Sequence, residues 1–163
     1  APSTYAGEVS FRVEKGSIQH VDALKAAAAI TNLPSLENFQ FDVLKGKALV
    51  KNSTVHLITA DAKGQDASLL TKGDIGFDKR LDLRATLELP YKVVRKALGK
   101  RSDLFADRTD EAEKKWSIIP LRVLGTVERP HVSVKFKKEA VDKIIDKNIH
   151  DKKIRKLLKG LFN

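Results

Sequence analysis

From Leu81 to Leu89 the chain alternates without a break: Leu81, Leu83, Ala85, Leu87 and Leu89 on one side, Asp82, Arg84, Thr86 and Glu88 on the other. A period of two is the side-chain spacing of a β-strand, so this stretch is a strand with one apolar and one charged face. Such a strand cannot stand alone. Its backbone groups need ladder partners, and its leucines need a second apolar surface.

The same pattern recurs on both sides of it. Val9, Phe11 and Val13 alternate with Glu8, Ser10, Arg12 and Glu14, which predicts a half-buried strand over Gly7 to Glu14. Phe39, Phe41 and Val43 form another, Lys45-Gly46 marks a turn or bulge, and Ala48 and Val50 follow. After Asn52-Ser53 come Val55 and Leu57 around His56, then a polar tip from Asp61 to Asp66. Leu69, Thr71, Gly73, Ile75 and Phe77 make one face opposite Lys72, Asp74 and Asp78, and Lys79-Arg80 turns the chain into Leu81. Near the C-terminus, Ile119, Leu121 and Val123 alternate with Pro120, Arg122 and Leu124. A Glu128-Arg129-Pro130 turn then leads to Val132, Val134 and Phe136. Pro120 offers no ladder donor, which places its strand at an edge or a bulge where the sheet ends.

Strands about ten residues apart with short polar tips mean an antiparallel meander rather than βαβ units. Helices punctuate it. Val21, Leu24, Ala27 and Ala28 predict a helix from about Gln19 to Thr31, with Gly16-Ser17 as turn and N-cap and Asn32 and Pro34 as stop. Pro90 opens a second helix through Val93, Val94, Ala97 and Leu98, closed by Gly99. Of the sixteen residues from Lys100 to Lys115, ten are charged, a composition that predicts a mobile loop or a poorly packed helix. The tail offers two apolar stripes offset from one another, Val141, Ile144, Ile145 and Ile149 and then Ile154, Leu157, Leu158, Leu161 and Phe162. Two short helices broken near His150-Asp151 reconcile them. The expected fold is therefore α+β, an antiparallel twisted sheet of about six to eight strands forming a groove or half-barrel. A few short helices pack on it. With 163 residues it makes one domain, 1–136 the sheet with inserted helices and 137–163 the basic C-terminal helices.

Charge and composition narrow the function. The net charge is +10, and from Lys135 to Asn163 ten cations face four carboxylates, so the excess lies in the tail. Lys152, Lys153, Arg155, Lys156 and Lys159 surround an apolar stripe there, the composition of an interfacial helix meeting an anionic membrane surface. The alternative is that this stripe packs on the sheet and its cations are solvated. Nucleic acid is disfavoured, because the aromatics that would stack on bases, Phe11, Phe39, Phe41, Phe77 and Phe136, occupy core-face positions. No apolar run approaches the roughly 18 to 20 residues of a membrane-spanning helix. The chain has no cysteine, and its four histidines are scattered, so neither disulfide, thiolate nor structural zinc chemistry is expected. There is no Gly-rich phosphate loop and no nucleophile elbow. Lys72-Gly73-Asp74-Ile75-Gly76 has two glycines inside a strand pattern, which reads as a bulge or a close backbone contact. His56, between Val55 and Leu57, points to solvent. No enzyme, metal or cofactor is expected.

Three motifs, in order, resemble the C-terminal region of AsmA-like proteins. Phe41-Asp42-Val43-Leu44-Lys45-Gly46 precedes Ala48-Leu49-Val50, and Thr71-Lys72-Gly73-Asp74-Ile75-Gly76-Phe77-Asp78 precedes Leu81-Asp82-Leu83. Ile119-Pro120-Leu121-Arg122-Val123-Leu124-Gly125-Thr126-Val127-Glu128-Arg129-Pro130 is the third, and together they cover roughly residues 39 to 136. Asn52 stands where that pattern leads one to expect Gly. The resemblance implies a bacterial envelope protein with a periplasmic β-rich groove, held at the inner membrane by an N-terminal anchor outside this sequence. It also implies a part in phospholipid traffic between the membranes or in outer-membrane assembly. The strand pattern supplies a floor for that role, with Leu81, Leu83, Leu87, Leu89, Ile119, Leu121 and Val123 as candidates to line a lipid groove. Phospholipid or an anionic membrane surface is then the expected partner, with other envelope proteins beside it. The alternative is a structural or protein-interaction domain of the same fold whose helices fill the apolar face, and a third reading is a polyanion or nucleic-acid binder acting through the tail.

Overall fold

The computed structural model describes residues 6–136. Eight strands form one antiparallel sheet: β1 (Ala6–Gln19), β2 (Asn38–Lys51), β3 (Thr54–Lys63), β4 (Ser68–Gly76), β5 (Leu81–Pro90), β6 (Ala106–Thr109), β7 (Lys115–Gly125) and β8 (Pro130–Val134). Two helices, α1 (Asp22–Thr31) and α2 (Tyr91–Leu98), and two 3-10 turns, Pro34–Glu37 and Gly99–Leu104, complete it. The expected α+β class and antiparallel sheet of six to eight strands are present, the sheet being an open one. The predicted tail helices over 137–163 lie outside the described residues.

The strands run in chain order from β1 to β5, then β7, and β6 and β8 share the outer edge of β7. β6 pairs with Lys115 to Ile118 and β8 with Leu121 to Gly125, leaving Pro120 between them. The Pro120 carbonyl accepts a hydrogen bond from the Lys135 N–H at 2.9 Å. In a strand the N–H and C=O of one residue point the same way, so the missing donor of Pro120 faces the seam where β6 gives way to β8. β7 is therefore an inner strand, and the expectation that it ends the sheet is corrected by that seam.

Other boundaries moved for identifiable reasons. β2 runs fourteen residues through Lys45-Gly46 without turning, because Gly46 lies opposite Phe11 and the Phe11 ring occupies the space a Cβ would need. Phe41 does the same over Gly16, which keeps Gly16 and Ser17 in β1 and delays α1 to Asp22. A strand glycine here is a seat for the ring of its cross-strand partner. Lys15, at φ 51, marks a bend in β1, and beyond it the inward residues change from Val9, Phe11 and Val13 to Gly16 and Ile18. β3 continues to Lys63, so the polar tip shrinks to a turn closed by the Gly64 N–H to the Ala67 carbonyl. Asn52 and Ser53 both adopt positive φ, 52 and 56, as a two-residue type I′ hairpin requires. Phe77, expected on the inner face, is 63% exposed, since β4 ends at Gly76 and Phe77 enters the turn.

The charged stretch from Lys100 to Lys115 is neither loop nor loose helix. Ser102, Leu104 and Phe105 are buried, and Ala106 to Thr109 joins the sheet. Two large apolar residues suffice there because the turn packs on α2 and Phe105 joins the core of Leu89 and of Val94, which has no solvent exposure.

All helical segments lie at one end of the sheet, where β1, β3 and β5 finish, and the opposite end carries only tight turns. α1 leaves β1 at one edge and packs against β8 at the other. Six inter-strand steps separate those strands, about 29 Å if flat, whereas a helix of this length spans about 15 Å. A sheet curled toward α1 shortens that span. Leu24, Ala27 and Ala28 of the helix enter the same core as Val132 and Val134 of β8.

Gly73 is the close backbone contact its position suggested. At φ 132, a Cβ there would strike the Asp82 carbonyl oxygen and the Leu83 Cα on β5. Gly73→Ala is expected to cost about 2 kcal/mol or more. Gly99→Ala, also at positive φ but with open space around it, is expected to cost only about 1 kcal/mol. Urea midpoints of the two variants measure the difference.

Candidate functional site

The ladder register assembles a continuous apolar face. Leu83 lies opposite Val123, Ala85 opposite Leu121 and Leu87 opposite Ile119 across β5 and β7. On the other side of β5, Leu87 meets Leu69, Leu83 meets Gly73 and Leu81 meets Ile75. Val55 then faces Ile75, and Leu57 faces Gly73. Val50 and Ala48 carry the row into β2.

The seven candidate groove residues are thus brought to one face, but in two environments. Leu87, Leu89, Ile119, Leu121 and Val123 are buried, Leu87 at 1% exposure and Ile119 at 0%. They belong to the core closed by α1, by Val94 of α2 and by Phe105, whose ring stacks on Phe136 at 5.3 Å. Leu81 and Leu83 are only half-buried. Val50, Val55, Leu57 and Ile75 are half-buried with them, at the turn end where no helical segment lies. Strand alternation marked all four as apolar-face residues, but only the register shows that they adjoin Leu81 and Leu83. Lys152, Lys153, Arg155, Lys156 and Lys159 lie outside the described residues.

The turn end is fastened across β5. The Lys79 ammonium donates to Glu128 Oε1 at 2.5 Å, and the Val127 N–H donates to the Lys79 carbonyl at 3.0 Å. The hydrogen bond to Glu128, and then its charge, raises the Lys79 pKa, and the reciprocal contact lowers that of Glu128.

The outer face carries the titratable groups. His56 Nδ1 lies 2.7 Å from Asp74 Oδ1, a partner the strand register supplies from eighteen residues away. Asp74 stands directly opposite Asp82, which takes its own cation from Arg122 at 2.5 Å. Exposed pairs of this kind contribute little to stability, and they keep two facing carboxylates compatible. Among the described residues no three His, Asp or Glu groups stand close enough to hold a metal ion. A hollow of about 890 Å³ opens at the helical end. Its lining mixes Lys15, Gln40, Asp42 and Asp66 with Phe39, Phe41 and Leu89, so it offers both charge signs. Of the seven groove candidates it touches Leu89 alone.

Between β6 and β7 the chain turns around Asp110. Its carboxylate accepts the Trp116 indole N–H at 2.9 Å and the Lys114 backbone N–H at 2.8 Å. Arg108 grips Glu88 with two nitrogens, the closer at 2.6 Å, and Lys114 sits 4.5 Å from the centre of the Trp116 ring. This hairpin pins the sheet edge beside the buried Ser117 and Ile119.

Compared with known protein families, curated proteins and solved structures, the chain matches none. No helix among the described residues is long and apolar enough to cross a membrane.

The indole hydrogen bond, followed by the Lys114 backbone N–H, lowers the Asp110 pKa below its ordinary value. A carboxylate depressed in the folded state stabilises it above the ordinary Asp range, and that contribution disappears as pH falls through the folded pKa. Trp116 is the only tryptophan. Its fluorescence is expected to hold through the ordinary Asp range and change only at lower pH. Asp110→Asn, which keeps an acceptor oxygen but no charge, is expected to remove that step.

Proposed function

We propose that this chain is a non-enzymatic lipid-handling domain, in which the half-open end of the apolar face receives phospholipid acyl chains. The observation that carries the reading is the patch of Leu81, Leu83, Ile75, Val55, Leu57 and Val50, half-buried and continuous with a sealed core. In a curled sheet that patch is the floor of a groove. Affinity there comes from apolar area, about 0.8 kcal/mol per buried CH₂, and no specific headgroup contact is required. The resemblance to AsmA-like proteins agrees with this chemistry. It also implies a periplasmic domain acting between phospholipid membranes or in outer-membrane assembly, while the composition of the basic tail, independently of that resemblance, suits an anionic surface.

One observation favours the second reading, a structural or interaction domain that binds no lipid. Five of the seven candidate residues are sealed in the core, so only the turn end is left for a ligand. Native mass spectrometry of protein purified from cells separates the two. Under the lipid reading, phospholipid co-purifies, and the affinity for labelled fatty acids rises by up to about fourfold per added methylene. Val55→Glu, in the part of the patch that does not pack on the core, is expected to abolish uptake while circular dichroism stays unchanged. Protein that emerges lipid-free and takes up no labelled chain leaves the interaction domain as the function.

A further inference from the structure

β1 is the end strand of the sheet, with β2 on one edge and nothing among the described residues on the other. Strand edges of this length are usually blunted, because their free N–H and C=O groups template pairing with another chain. This one carries the charges of Glu8, Arg12 and Glu14 and the bend at Lys15, and apolar surface nevertheless extends out to its rim. Val9 is 50% exposed and Val13 45%, on the same side as Phe11. The regular part of the strand is Ala6 to Glu14, ending at the bend of Lys15, and Ser10 is its midpoint.

We propose that this edge docks a second copy of the chain, the two β1 strands pairing antiparallel about a twofold axis at Ser10. The charge pattern selects that register. Apolar residues must meet apolar residues, since a slip by one turns every side chain to the wrong face. Centring the pair on Phe11 sets Glu8 against Glu14 of the other copy, and centring it on Arg12 sets Arg12 against itself. Centring it on Val9 leaves Arg12 facing Ala6. Centred on Ser10, Glu8 faces Arg12 and Val9 faces Phe11, each pair occurring twice, with no like charges opposed. Within one copy Glu8 already reaches Lys47 on β2 at 3.2 Å, so in the pair it stands between two cations. Both sheets then present their apolar sides on the same face, and a floor that ends at β1 in one copy runs on into the next. The pairing holds whether or not that floor carries lipid.

The test is sedimentation velocity over a concentration series, with charge variants at exposed positions. The wild type is expected to pass from monomer to dimer as concentration rises. Glu8→Arg alone, or Arg12→Glu alone, sets like charges opposite one another twice and is expected to weaken the dimer by about tenfold or more. The double variant Glu8→Arg/Arg12→Glu restores both pairs and is expected to recover it. Because the chain has no cysteine, Ser10→Cys gives an independent reading. Residues opposite each other in an antiparallel pair stand about 4.5 to 5.5 Å apart at Cα, within disulfide range. Mild oxidation should therefore cross-link Ser10→Cys and leave Ser17→Cys, beyond the bend, as monomer. A wild type that stays monomeric overturns the proposal. So does a dimer indifferent to either single reversal, a double variant as weak as the singles, or cross-linking at position 17 but not at 10.

Discussion

The pairing of Leu87 on β5 with Ile119 on β7 joins two of the largest fully buried side chains among the described residues. The two side chains lie directly opposite each other, and each contributes about 1.5 to 3 kcal/mol by leaving water. Their strands are joined by a long excursion through α2, a 3-10 turn and β6, so the pairing closes a sizeable loop before any of its burial is gained. Helical cover converges on the same point. Val94 and Phe105 come from that excursion, and Leu24 and Ala27 from the helix at the opposite end of the chain. Without the β5–β7 row those segments would have no common surface to bury.

That convergence leaves the molecule unequal from end to end. Where the helices gather, the apolar face is core. Where only turns close the sheet, Leu81, Leu83 and Ile75 retain contact with solvent, and the ends are fastened by Lys79, Glu128 and the Val127 N–H instead of by apolar cover. These exposed polar ties are individually weak and sensitive to salt. They fix the turns relative to one another without roofing the face. A fold arranged this way keeps stability and accessible apolar surface in separate places, which a single closed core could not do.

Strand alternation made most of the sheet legible, because period two survives wherever one face is buried and the other wet. It failed where a glycine had a tertiary reason. Gly46 and Gly16 look like turn residues in isolation, yet each accommodates a phenylalanine ring from the neighbouring strand. It failed again from Lys100 to Lys115, where composition argued against order. Asp110, Glu88 and Trp116 arrange those charges into a hairpin, and Phe105 need only reach a core built by other segments. At the site, the candidate leucines were correctly placed on one face. How far each was covered depended on helices whose docking no local pattern encodes.

The residue order by itself determined most of the strand faces and the helix following Pro90, since each depends on neighbours a few positions away and on backbone sterics. Tertiary structure decided the order of β6, β7 and β8, the partner of His56, and which of the apolar residues are core and which are open surface. Those depend on ladder register and helix docking, where residues dozens of positions apart compete for the same surface and the outcome is set by total burial.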